Sequence, residues 1–225
     1  MNIKQQAVLV VAAHPDDEAL GCGGTIAKWV ANSCEVTVIF MTNGVAARGD
    51  DKVAAQQRFD AATAAASSLG ITDVRVLDLP DNKMDGLALL DIIQPLETVV
   101  AGQAFSTVLT HHGGDLNIDH RLTHQAVLTA FRPQPGQTVK RILCFEVNSA
   151  TEWASSAQAP FIPNYFVDIS DFWPDKVTAL DHYNEEMRAY PHTRSIEAIE
   201  ALSVVRGTSV GVAKAEAFMI ERWLD

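Results

Sequence analysis

Two stretches of the sequence concentrate imidazoles and carboxylates at spacings that suit a divalent cation and the activation of water. The first is His14-Pro15-Asp16-Asp17-Glu18, running into Ala19-Leu20-Gly21-Cys22-Gly23-Gly24. Neutral imidazole and ionised carboxylate are both zinc donors, and His14 and Asp17 are close enough in a turn to converge on one ion. Asp16 then remains free. A dinucleotide turn would carry G-x-G-x-x-G here so that backbone amides met a pyrophosphate, which these carboxylates would repel. Taken alone the stretch has a structural alternative: Asp16 or Asp17 caps the following helix, Glu18 favours its dipole, and His14 is a satisfied turn residue.

The second stretch is His111-His112-Gly113-Gly114-Asp115-Leu116-Asn117-Ile118-Asp119-His120-Arg121. His120 is the best third ligand, because Asn117 or Asp119 can cap the next helix and fix the imidazole on its first turn. Three protein ligands leave a fourth position for water. His124 shares a helix face with His120, but the zincin pattern needs Glu after the first His and here it is Arg121. A histidine on a helix face more often packs or hydrogen-bonds than ligates. His111 belongs to a strand end. His112 and Asp115 can reach substrate or support a ligand, or can simply be polar neighbours of the Gly113-Gly114 turn.

Both stretches must be held at one edge of one sheet, and the surrounding pattern provides for that. Short Val/Ile/Leu-rich runs at Ala7–Ala13, Val36–Met41, Val74–Leu79, Thr107–Thr110 and Val139–Val147 read as strands. Their near-continuous apolar character indicates a parallel sheet buried on both faces. Helical spacing fills the intervals Thr25–Ala31, Asp51–Leu69, Leu87–Ala101 and Leu122–Phe131, with Gly70 closing the second and Pro95 kinking the third. This alternation predicts a Rossmann-like three-layer α/β/α fold with a mostly parallel sheet. After a loop at Thr151–Pro163 and a strand at Tyr165–Ile169, the C-terminal portion reads as helical: Lys176–Met187, Ser195–Val205 and Val212–Trp223. No repeat or long linker appears, so residues 1–225 read as one domain.

Composition bounds the function class. The chain has 225 residues, 17 Lys+Arg against 28 Asp+Glu, a formal charge of −11 and 48% hydrophobic residues. Without a basic stripe, a net negative surface argues against binding nucleic acid through counterion release. Three widely spaced cysteines, Cys22, Cys34 and Cys144, give neither a disulfide framework nor a thiolate zinc knuckle. The longest apolar run, Ala7–Ala13, is too short for a transmembrane span. Met1–Ala13 faintly imitates a signal peptide, but its valines and its abrupt passage into His14 read as a strand, which implies a cytoplasmic protein. The oligomeric state is left open, with a homo-oligomer among the possibilities.

With these residues in view, the chain resembles the PIG-L/LmbE-like family of zinc-dependent N-acyl hydrolases. The resemblance rests on Ala13 to Glu18 and Gly114 to Arg121, and extends to Leu79-Pro80-Asp81-Asn82, Phe145-Glu146-Val147 and Tyr190-Pro191-His192-Thr193-Arg194-Ser195. Carried over residue by residue, it implies that His14, Asp17 and His120 hold one zinc ion and that Asp16 is the general base. It implies small-molecule substrates that are N-acetylated amino sugars or their conjugates. Many members carry a histidine three residues before the last ligand. Here that position is Asn117, which can donate a hydrogen bond but cannot carry a proton.

Iron(II) or manganese also suits a His/His/Asp set. Asn117, His112 and His192 are candidate donors to a developing oxyanion. Arg48, Arg194 and Arg206 suit a substrate phosphate or carboxylate, and Asp115 and Asp119 can support the ligands. Trp153, Trp173 and Tyr190 can stack on a sugar ring or simply pack. Two other classes stay open: a non-catalytic sugar- or metal-binding module, and a nucleotide-dependent enzyme on the same scaffold.

Overall fold

The computed structural model describes residues 6–44 and 52–225. Its strands are β1 (Ala7–Ala12), β2 (Glu35–Thr42), β3 (Asp73–Leu79), β4 (Thr107–His111), β5 (Arg141–Phe145), β6 (Tyr165–Asp168) and β7 (Ala215–Trp223). The helices are α1 (Asp17–Ala31), α2 (Lys52–Ser68), α3 (Leu89–Val99), α4 (Ile118–Ala130), α5 (Trp173–Asp181) and α6 (Ile196–Thr208). The strands form one sheet in the order β3-β2-β1-β4-β5-β7-β6. From β3 through β5 every pairing is parallel, and β7 runs antiparallel to both its neighbours.

Alternation along β1 explains the layers. Val8, Val10 and Ala12 enter one apolar core, which also holds α1, α2 and α5 residues such as Ile26, Ala62 and Leu180. Leu9 and Val11 enter the other, with Ile92 of α3 and Val127 of α4. Successive side chains of a strand point to opposite faces, so a run apolar at every position must be covered twice. The three-layer architecture follows. No helix among the described residues is long and apolar enough to cross a membrane.

Two expectations need correction. The segment expected as a helix over Val212–Trp223 is instead strand β7, between β5 and β6. Its Ala, Glu and Met residues favour helix locally, but pairing on both sides overrides propensity. The C-terminal portion is therefore mixed, with α5, α6 and two strands. The first helix also begins at Asp17 rather than Thr25, and bends at Cys22, whose φ of −148° and ψ of 20° are not helical. The small residues Gly21, Cys22, Gly23 and Gly24 lie within it. A side chain at Gly21 would strike the Phe145 ring, and one at Gly24 would strike Ile169.

Glu216 of β7 repairs the bend. Its carboxylate accepts from the backbone N–H of Gly24 at 3.0 Å and of Thr25 at 2.7 Å, and Lys176 Nζ of α5 pairs with it at 2.6 Å. Lys176 also donates to the Leu20 carbonyl at 2.7 Å, so one buried ion pair ties α1, α5 and β7 together. Breaking a buried pair by removing one partner strands the other charge. Lys176→Met should lower the unfolding free energy by about 3–5 kcal/mol, as read from denaturant titration.

Candidate metal centre and active site

In the order 3-2-1-4-5 the parallel strands are laid down outward in opposite directions on either side of the β1/β4 boundary, and ligands bind such sheets outside the carboxyl ends at that point. The two chemically loaded stretches leave these two adjacent strands. The turn after β1 is strained: Asp16 sits at φ 120°, ψ −28° immediately before α1. Backbone strain of this kind persists only where the surroundings over-determine it. Here Glu18 is the restraint. One of its carboxylate oxygens accepts from the Asp16 N–H at 3.1 Å and the other from the Tyr183 hydroxyl at 2.7 Å. Burial pushes the Glu18 carboxyl up to about 8, against the pull of the Tyr183 bond.

Asp17 Oδ2 lies at the centre of the cluster. It is 3.2 Å from His14 Nδ1, 3.3 Å from His120 Nε2, and accepts from the His14 backbone N–H at 2.9 Å. A tetrahedral ion with bonds of about 2.0–2.1 Å has ligand–ligand edges of about 3.3 Å, so this donor set fits a zinc-sized cation. Asp17 Oδ1, buried and without a hydrogen-bond partner among the described residues, fits the same reading. Without a cation, protons occupy the imidazoles. Burial lowers His120, but Asp17 and Asp115 outweigh it and hold the ring at about 9. Burial likewise lowers His14, while bonds to Asp119, Asp17 and Asp81 carry it well above its ordinary value. The imidazoles hold Asp17 well below the usual carboxylate range despite its burial.

Each imidazole is steered from its other nitrogen, as ligating histidines are. His120 Nδ1 lies 3.2 Å from Asp115 Oδ1, and Asp115 is fixed by the Thr151 hydroxyl at 2.7 Å and the Asn117 N–H at 2.9 Å. His14 Nε2 lies 3.3 Å from both Asp81 and Asp119. Asp119 in turn accepts from the Asn82 N–H at 2.7 Å and the Met84 N–H at 3.2 Å. His14, Asp81 and Asp119 form a second possible donor group. It is carboxylate-rich and reaches only the opposite nitrogen of the same ring, whereas two imidazoles and one carboxylate match hydrolytic zinc.

A cleft of about 420 Å³ opens over these donors, and His14, Asp16, Asp81, Asn117, His120 and Arg194 are among the residues lining it. Arg194 Nη1 grips Asp16 Oδ2 at 2.7 Å, and its Nε donates to the Ser149 hydroxyl at 2.7 Å. Burial raises the Asp16 carboxyl and Arg194 opposes it, leaving the group above its ordinary value. Arg58 and Glu186, paired at 3.0 Å, complete the wall behind Asp16.

The sequence pattern of the family described as PIG-L: GlcNAc-PI de-N-acetylase matches residues 9–131, more than half of the chain and spanning both stretches. The chain belongs to the PIG-L family. It is 30% identical over 183 residues to the uncharacterized deacetylase YaiS of Escherichia coli K12, covering 79% of this chain and 90% of that relative. With the diacetylchitobiose deacetylase of Thermococcus kodakarensis it shares 27% over 190 residues, or 77% of this chain and 67% of the relative. A solved structure of the same fold is GalB, the 4-carboxy-2-hydroxymuconate hydratase of Pseudomonas putida KT2440, with a TM-score of 0.77 and 23% identity over 98% of each chain. One scaffold thus carries different names, and the chemistry of this PIG-L chain has to be argued from its site.

In the PIG-L chain the structure brings His14, Asp16, Asp17 and His120 together, with Asp115 and Asp119 behind the imidazoles. Asn117 caps α4, its Oδ1 accepting from the Asp119 N–H at 2.8 Å, and its Nδ2 donates to Asn82 at 3.2 Å. His192 does not line the cleft; its Nδ1 accepts from the Arg194 N–H at 3.0 Å and so shapes the turn that presents the guanidinium. His112 bonds the Ala159 carbonyl at 2.8 Å, also outside the lining. Arg206 is occupied by Glu146 at 2.7 Å, and Arg48 lies outside the described residues. Sequence reasoning gave no site role to Asp81, Arg58, Glu186 or His111. The turn after β3, Leu79-Pro80-Asp81-Asn82, was the available signal for the first: a third strand end at the same edge. His111 is fully buried, stacks on His120 with ring centroids 3.9 Å apart, and accepts from the Ala13 N–H at 2.8 Å.

Proposed function

We propose that the protein is a zinc-dependent N-deacetylase acting on an N-acetylated amino sugar or a conjugate of one. The observation that carries this reading is the juxtaposition in one cleft of the His14–Asp17–His120 donors with Asp16, a carboxylate outside that donor set and above its ordinary pKa. The deacetylase names of its relatives supply the substrate class.

His14, Asp17 and His120 would hold the ion. A zinc ion bound there supplies Lewis acidity, polarising an acyl carbonyl and making water acidic near neutral pH. Asp16 is held by Arg194 through Oδ2, which leaves Oδ1 to take the proton of the attacking water. As the water oxygen bonds to the acyl carbon and the C–N bond breaks, Asp16 returns that proton to the nitrogen. Acetate and a free amine leave. Asn117 has no titratable proton to exchange, so both transfers fall to Asp16. The Asn117 amide and the Arg194 guanidinium are two of the donors lining the cleft, placed to meet a developing oxyanion or a sugar hydroxyl. Cys22, Cys34 and Cys144 are buried thiols, which suits a reducing cytoplasm.

The test is a free-amine assay across N-acetylated monosaccharides, sugar nucleotides and sugar lipids. Amine release should stop with a chelator and return with zinc; saturable binding without release across the panel would replace the hydrolase with a binding module. A pH dependence follows from the imidazoles. Ligation requires neutral rings, so a cation must displace the His120 proton at any pH below about 9, and the His14 proton as well. Metal affinity should therefore rise by roughly one to two decades per pH unit on going from pH 6 to 8, with protons released. Calorimetry in buffers of different ionisation enthalpy reads that release directly.

A further inference from the structure

A second donor set lies on the α3/α4 side of the sheet, where Cys144 shares a strand face with the core residue Ile142. We propose that His124, Cys144 and Glu221 form a second metal site, for a thiophilic divalent ion of the zinc class. One ligand atom from each residue lies within 4.8 Å of the others. His124 Nδ1 is 3.5 Å from Cys144 Sγ. A tetrahedral ion with one Zn–N bond of about 2.0–2.1 Å and one Zn–S bond of about 2.3 Å has a nitrogen–sulfur edge of about 3.5–3.6 Å. The His111 carbonyl oxygen, 3.0 Å from the same Nδ1, adds a fourth donor.

The three side chains come from α4, β5 and β7, so only the folded sheet assembles them. Glu221 stands at the register shift in the β5–β7 pairing, where Ile142 faces Arg222 and Leu143 faces Ile220. Such bulges re-aim side chains, and here the extra residue supplies an exposed carboxylate that gives the ion a route to two buried donors. Burial holds the His124 ring below its ordinary value. Burial, and then Glu221, push the Cys144 thiol up, so the cation must displace the sulfur proton. On binding, the S–H proton goes to solvent and the metal–sulfur bond forms. The imidazole proton moves from Nδ1 to Nε2, freeing the Nδ1 lone pair. None of the three residues lines the catalytic cleft, and the inference is independent of the hydrolase reading.

Cobalt(II) tests this on the full chain. The His14–Asp17–His120 set contains no sulfur, so a thiolate-to-cobalt charge-transfer band in the near ultraviolet reports the second site alone. The band is expected in the wild-type protein, and to persist in Asp17→Asn. It should vanish in Cys144→Ser, and Glu221→Gln should raise the cobalt Kd at that site by at least about tenfold. Glu221 is exposed, so this variant keeps the test decisive if Cys144→Ser does not fold. Absence of the band in folded wild-type protein, its persistence in Cys144→Ser, or an unchanged Kd in Glu221→Gln would overturn the proposal.

Discussion

Asp16→Asn is expected to cut kcat for amine release by about 10³-fold, within the range for losing a general base, while leaving the metal in place. The substitution removes proton affinity and little else. Asn tolerates the positive φ of this position better than most residues, so the strained turn survives. Its amide oxygen can still accept from Arg194, and the His14–Asp17–His120 donors keep their spacing. Metal content by elemental analysis should therefore match wild type, and KM should change far less than kcat. Unchanged turnover would remove Asp16 as the base. Lost turnover with lost metal would instead assign the residue to assembling the donor turn.

Much of this centre was legible because its parts are local. His14 and Asp17 share one turn, and Asn117 caps the helix that carries His120 on its first turn, so spacing alone suggested convergence. The alternation of apolar runs and helical intervals gave the parallel half of the sheet for the same reason. What escaped depends on contacts distant in sequence. Asp81 meets His14 only because β3 ends at the same edge as β1. Glu186 and Arg58 come from opposite halves of the chain. Strand β7 is strand only through its neighbours, and the length of α1 depends on Glu216, which accepts from Thr25 191 residues away and from Gly24 192 residues away. A helix face signal placed His124 beside His120, but its Nδ1 reaches the His111 carbonyl and Cys144 instead.

Asp17→Ala should abolish activity at stoichiometric metal, and the loss should trace to affinity. Losing a hydrogen-bonded supporter of a ligand costs about 10–100-fold in metal affinity. Asp115→Asn, which loosens His120 from its Nδ1 side, belongs in that range. Asp17 is itself one of the proposed donors, the only carboxylate in that set, with its Oδ2 3.2 Å from His14 Nδ1 and 3.3 Å from His120 Nε2, so its removal should exceed about 10²-fold. The loss acts twice. Without Asp17 the imidazoles lose a charge that raises both, so they bind protons less tightly and the pH dependence of metal uptake should flatten. Three variants thus separate on two axes: Asp16→Asn keeps metal and loses turnover, Asp115→Asn weakens metal and recovers turnover when metal is in excess, and Asp17→Ala loses both. If Asp17→Ala held metal as tightly as Asp115→Asn, the cation would have to sit among His14, Asp81 and Asp119, and the general-base geometry assigned to Asp16 would fall with it.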